Sequence, residues 1–185
     1  MCFSAPVMAQ KDAVTYLRHI LDKYKDQEVY TGGHSKGGNL AVYAHVGIEE
    51  AYRKRVVQIY NNDGPDLCEE VINNDIMNAV ESKIIKIVPE FCIVGMIFNS
   101  TKNLKIVKAD NIAFFQHDIL NWNCLGASFE PISDITKEAN KFSTLLDKVL
   151  EHTDLDKRQE YVNNFFDKII DAGTTRLPWG KKNHS

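Results

Sequence analysis

The chain is predicted to be an α/β protein with a mostly parallel sheet and helices on both faces, and three observations carry that prediction. Short Val- and Ile-rich runs alternate with segments of helical periodicity. Those runs are rich in Val and Ile, as the strands of a parallel sheet covered on both faces are. A glycine-dense segment joins one such run to the helix after it. The 185 residues are 44% hydrophobic and 25% charged, enough for one sizeable core, so a single domain over 1–185 suffices, with a sheet-bearing part over 1–130 and a helical part over 131–185.

The elements follow in order. An amphipathic helix from about Val7 to Tyr24 sets Val14, Leu17, Leu21 and Tyr24 on one face. A strand at Glu28–Thr31 leads into the glycine segment, and a helix leads out from Leu40 and ends near Tyr52. Val56–Tyr60 is a strand, and Asn62-Asp63-Gly64-Pro65 is a turn. A helix is predicted from about Leu67 to Val80, then a strand Ile84–Val88 closed by Pro89, and a strand Leu104–Val107 that leads to a loop with Gln116-His117-Asp118. Ile135, Ala139, Phe142, Leu146 and Val149 form one apolar stripe; Tyr161, Val162, Phe165, Phe166, Ile169 and Ile170 form another, with Thr153-Asp154 as its N-cap.

Gly33-His34-Ser35-Lys36-Gly37 is a G-x-S-x-G pattern in the context that gives it meaning, a β-branched strand before and an apolar helix after. Such a turn presents a serine hydroxyl to a base while backbone N–H groups face the developing oxyanion. Its glycines remove Cβ atoms where strand and helix come close. The plain alternative is a glycine-rich turn with a capping serine.

A serine nucleophile needs an imidazole base, and the imidazole needs an acid that fixes its tautomer. In α/β-hydrolases the chain order is Ser, acid, His. Of the six histidines, His19 and His45 sit on helices, His34 neighbours Ser35 with a side chain expected to diverge from it, His152 lies at a helix junction and His184 in the tail. His117, in a loop after a late strand, is the predicted base. Asp63 is the first candidate acid because its Gly-Pro turn follows the next strand after the elbow; Asp66, Glu90 and Asp110 compete. Asp118, adjacent to His117, is an awkward partner. The Lys36 amide is the predicted oxyanion donor.

Composition narrows the classes further. Lys+Arg 22 against Asp+Glu 25 gives a net charge of −3 with signs interspersed, so no nucleic-acid footprint is present. Cys2, Cys68, Cys92 and Cys124 form no C-x-x-C pair, which argues against a zinc site and fits free thiols in a reducing cytoplasm. The longest apolar run, Ile93 to Phe98, is too short for an integral membrane segment. No metal or other cofactor is implied.

Four segments in order, GHSKGGNLAVYA, YNNDGPD, KIVPEFCIVGMIF and QHDILNW, resemble the bacterial lipase-like family labelled domain of unknown function 2974, over roughly Ala5 to Ala172. The resemblance implies an α/β-hydrolase-like fold distantly similar to class 3 lipases, with Ser35 as nucleophile and His117 as base. Class 3 lipases carry their acid in a D-x-V-P sequence, and the matching stretch is Lys86-Ile87-Val88-Pro89. Lysine cannot orient an imidazole, so Asp63 gains by default. Members of that family carry further N-terminal strands, which makes this chain resemble a C-terminal part whose upstream oxyanion strand is missing. The exposed sheet edge that results predicts a homo-oligomer. The expected activity is a serine hydrolase on a small-molecule ester, thioester or lipid-like substrate. The alternatives are a catalytically impaired hydrolase-fold module that binds or oligomerises, and an ordinary α/β binding domain.

Overall fold

The β-branched runs pair side by side in the order in which they occur. The computed structural model describes residues 6–68, 74–98 and 101–154, together with 157, 160 and 164. Its elements are α1 (Met8–Lys23), β1 (Val29–His34), α2 (Lys36–Gly47), α3 (Glu50–Arg53), β2 (Val56–Asn62), α4 (Asn74–Val80), β3 (Ile84–Pro89), β4 (Leu104–Val107), β5 (Cys124–Leu125), β6 (Ser128–Phe129), β7 (Pro131–Ile132) and α5 (Lys137–Glu151). Short 3-10 turns occupy Glu81–Lys83, Ala113–His117 and Ile119–Asn121. The main sheet has the order β1-β2-β3-β4-β7, parallel from β1 to β4 and antiparallel at β7, while β5 and β6 form a separate hairpin. This is an α/β architecture with a mostly parallel mixed sheet.

One face of the sheet carries the main core. Leu17 and Leu21 of α1, Val42, Ala44 and Val46 of α2 and Val80 of α4 pack against Val56, Ile59 and Ile84. Val56 and Ile59 are three apart rather than two because the β1–β2 register shifts between Val29 and Tyr30, and the extra residue lets both turn inward. The opposite face is covered at β3 and β4, where Ile87, Ile119 and Phe129 pack around Val107, Ala109 and Trp122. At β1 and β2 it leaves Tyr30 60% and Tyr60 36% exposed, so among the described residues the expected cover on both faces is found only at β3 and β4.

Several boundaries differ from the periodicity reading. Tyr24 caps α1 and is exposed instead of joining its apolar face, while Gln10 is fully buried. The helix after the glycine segment does not run to Tyr52. It stops at Gly47, where a Cβ would lie 2.6 Å from Val14 Cγ2, and the buried Ile48 turns to an extended conformation before α3 begins. Leu67 is not helical: its side chain enters the core, and Asn39 Nδ2 donates to the carbonyls of Pro65 and Asp66 that a helix would otherwise use. Helix α4 begins at Asn74, with 69–73 outside the described residues. On α5, Ala139 and Ser143 are buried while Val149 is exposed. The sheet extends to β7, two residues beyond the 1–130 expected for the sheet-bearing part. The second C-terminal stripe lies outside the described residues.

Candidate active site

Parallel pairing aligns the carboxyl ends of β1 and β2, with His34 opposite Asn62. The next residue on each strand therefore lies beside its neighbour. The Ser35 N–H continues the ladder to the Asn62 carbonyl at 2.8 Å, and the Asp63 N–H continues it to the Ile87 carbonyl at 2.8 Å. Both residues then leave the strand in a left-handed turn, Ser35 at φ 56° and Asp63 at φ 50°. Non-glycine residues held at positive φ carry strain that the surrounding packing must enforce.

The motif glycines divide by what lies next to them. A Cβ at Gly33 would fall 2.3 Å from the Gly37 carbonyl carbon, so β1 and α2 can cross here only with glycine at that place. Gly38 is as constrained, with Asn61 Oδ1 at 2.2 Å from the same construction. At Gly37 a Cβ meets nothing within 4 Å, contrary to the expectation that both motif glycines relieve a collision of their own Cβ.

His117 arrives from a loop whose ends are fastened by a bridge between Ala109 and Trp122 and by the Asp110 N–H on the Asn121 carbonyl at 2.7 Å. Gln116 anchors its interior. It accepts from the Phe91 N–H at 2.8 Å and donates to the carbonyls of Ala109 at 3.2 Å and Asn111 at 3.1 Å. This places His117 Nε2 at 3.0 Å from Ser35 Oγ and Nδ1 at 2.7 Å from Asp63 Oδ2. A proton on Nδ1, donated to the carboxylate, leaves the Nε2 lone pair facing the serine hydroxyl. The Asp63 side chain is 1% exposed and that of His117 17%, so the carboxylate is walled off while the imidazole keeps access. The other carboxylate oxygen, Oδ1, accepts from the Gly95 N–H at 3.0 Å and the Cys92 thiol at 2.8 Å. Burial above all, then the neighbouring Asp63 charge and its hydrogen bond, push the Cys92 thiol well above the ordinary thiol range.

His34 also bears on the site, through the backbone and the ring of His117. Its Nε2 donates to the His117 carbonyl at 2.7 Å, and the two rings stack with centroids 4.6 Å apart. The Lys36 amide opens α2 and has no acceptor among the described residues, as the first N–H groups of a helix generally lack one. The competing acids are engaged elsewhere. Asp66 receives Lys86 Nζ at 2.6 Å and Thr101 Oγ1 at 2.9 Å, Glu90 receives Gln116 Nε2 at 3.4 Å, and Asp118 caps the Leu120 N–H at 3.0 Å. For Asp110 it is the backbone N–H that is engaged. Gln116 and Asn61 had no sequence signature, because a neutral amide that bonds backbone looks like any surface amide until its burial is known.

Among the described residues no group of three or more His, Cys, Asp or Glu side chains is placed to hold a metal, and no helix is long and apolar enough to cross a membrane.

Fold and site together define an α/β protein with a Ser–His–Asp hydrogen-bond chain at the carboxyl edge of a mostly parallel sheet. A family model described as Mbeg1-like matches residues 1–167, and the chain belongs to that family. This corrects the resemblance to the lipase-like domain of unknown function 2974. That resemblance rested on four short segments, whereas the match that names the family as Mbeg1-like runs through most of the chain. No curated protein and no solved structure matches the chain.

Proposed function

We propose that this protein is a serine hydrolase of carboxylic esters or thioesters with small or lipid-like acyl groups, built on an α/β-hydrolase-like fold. One observation carries the reading: a serine at φ 56° between a strand and a helix, joined through His117 at 3.0 Å to Asp63 at 2.7 Å. A strained turn and two hydrogen bonds in series are costly to assemble for structure alone.

The chemistry follows from that chain. Ser35 Oγ bonds to the carbonyl carbon as its proton passes to His117 Nε2, and the carbonyl π pair moves onto oxygen, which faces the Lys36 N–H. The imidazolium is stabilised by the Asp63 carboxylate. When the oxyanion collapses, the alcohol or thiol leaves with the proton from His117. Water then attacks the acyl-serine, gives its proton to His117, and releases the carboxylic acid as Ser35 recovers its hydrogen. No cofactor takes part in this scheme.

Cys92 and Cys124 form no disulfide among the described residues, which fits the cytoplasmic setting proposed here. Among the described residues β1 pairs on one side only and carries no acidic or basic residue other than His34, which supports self-association along that edge.

A fluorophosphonate probe tests the reading. The expected result is labelling of the native protein, none of Ser35→Ala, and labelling of Asp63→Asn slowed on the order of 10²–10⁴-fold because the imidazole then adopts the wrong tautomer. A panel of esters of rising chain length names the acyl preference. Native protein that takes no label would leave the non-catalytic module as the better reading.

A further inference from the structure

Resting on that reading, we propose that Cys92 is a positioning residue for the proposed reaction: its thiol proton holds the far oxygen of Asp63, so that the near oxygen stays aimed at His117. The argument starts from the carboxylate. Oδ2 faces His117 Nδ1, but a carboxylate turns readily about its terminal torsion unless the second oxygen is also held. Oδ1 lies in a pocket closed to water, with Asp63 1% and Cys92 0% exposed, so protein donors must satisfy it. Two groups from the chain after β3 do so, the Gly95 N–H at 3.0 Å and the Cys92 thiol at 2.8 Å. The fit is close. A Cβ at Gly95 would stand 2.4 Å from Asp63 Oδ1 and 3.0 Å from Cys92 Sγ, so backbone, sulfur and carboxylate occupy one another's only space.

The chemical character of the donor matters as much as its place. A thiol kept protonated by burial and by the adjacent carboxylate is a neutral donor. It orients Asp63 without neutralising it, which leaves the negative charge to stabilise the imidazolium. The buried cation close by, Lys86, is instead held on Asp66 at 2.6 Å. A cation on Oδ1 would orient Asp63 equally well but would weaken its hold on His117. Neutral donors on Asp63 and the cation on Asp66 divide those tasks.

The test compares Cys92→Val, which fills the site with apolar atoms and loses the donor, Cys92→Ala, which loses the donor without added bulk, and Cys92→Ser, which keeps a donor. The readouts are kcat and KM on an activated short ester, and the downfield proton resonance of the His117 Nδ1–H. Loss of the donor in the Val and Ala variants is expected to lower kcat about tenfold with KM nearly unchanged, and to shift or broaden the resonance. Cys92→Ser is expected to bring kcat back to within about threefold of native and to restore the resonance. An unchanged resonance and kcat in both donor-free variants, or a serine variant no better than alanine, overturns the proposal while the hydrolase reading stands. If the native protein neither labels nor turns over, the hydrolase reading fails, and the resonance alone decides whether Cys92 orients Asp63.

Discussion

Ser35 and Asp63 both hold a positive φ, 56° and 50°, at the ends of adjacent parallel strands, and Gly64 wedges the two turns together. A Cβ on Gly64 would lie 2.3 Å from the Ser35 carbonyl oxygen and 2.4 Å from Asn61 Oδ1, and the Gly64 N–H donates to that same Asn61 oxygen at 2.9 Å. The Ser35 turn and the Asp63 turn are thus one packed unit, and neither can relax without moving the other.

Gly64→Ala should therefore damage stability and site together. Forcing a methyl group into this contact is expected to cost ~1–3 kcal/mol in urea unfolding and to slow probe labelling of Ser35 by at least about tenfold. Gly37→Ala is the control, since a Cβ there meets open space and an alanine in a helix is favoured by up to ~1 kcal/mol. Equal losses in the two variants would show that the contact at Gly64 is not what holds the turns.

Lys86 and Asp66 form a buried pair whose members depend on each other. Removing the cation in Lys86→Met takes away the 2.6 Å ion pair of the buried Asp66 carboxylate, at an expected cost of about 3–5 kcal/mol. The double variant Lys86→Met/Asp66→Leu should recover much of that loss, because both charges of the pair are then gone. Urea midpoints at pH 7 measure both; a double variant no more stable than the single one would contradict the account.

His45 should make stability fall with acid. Its ring is fully buried on α2, neither ring nitrogen has a partner among the described residues, and burial above all, then the charges of Lys83 and Arg53, lower its pKa to about 4. Because the folded value lies below the unfolded one near 6.5, the unfolded chain binds more protons between them, so this contribution is whole above pH 6.5 and is lost as pH falls toward 4. Between pH 7 and pH 5 the linkage amounts to about 2 kcal/mol. His45→Leu should flatten that part of the curve of unfolding free energy against pH, and parallel curves for the two proteins would refute the assignment.

Much of the site was legible because its signals are local. G-x-S-x-G between a β-branched run and an apolar helix encodes a tight turn, and Asn-Asp-Gly-Pro encodes another, by the steric rules of glycine and proline alone. His117 followed from chain order. The contact of His34 with His117 had no local signal, because sequence adjacency to Ser35 says nothing about a loop eighty residues later that brings a carbonyl within 2.7 Å of its ring. The end of α2 was misread because an apolar run looks continuous until Val14 of another helix is known to press on Gly47.

By itself the sequence determined the alternation of strands and helices, the turn that presents Ser35, and the candidates for base and acid, since backbone sterics and hydrophobic period act over a few residues. Tertiary structure decided which carboxylate meets His117. Asp63 and Asp66 lie three residues apart with the same charge, and only parallel pairing separates them: Asp63 is turned toward His117, Cys92 and Gly95, while Asp66 is drawn to Lys86 and Thr101. A buried carboxylate takes its role from the donors packed around it, and those come from segments that the local sequence does not contain.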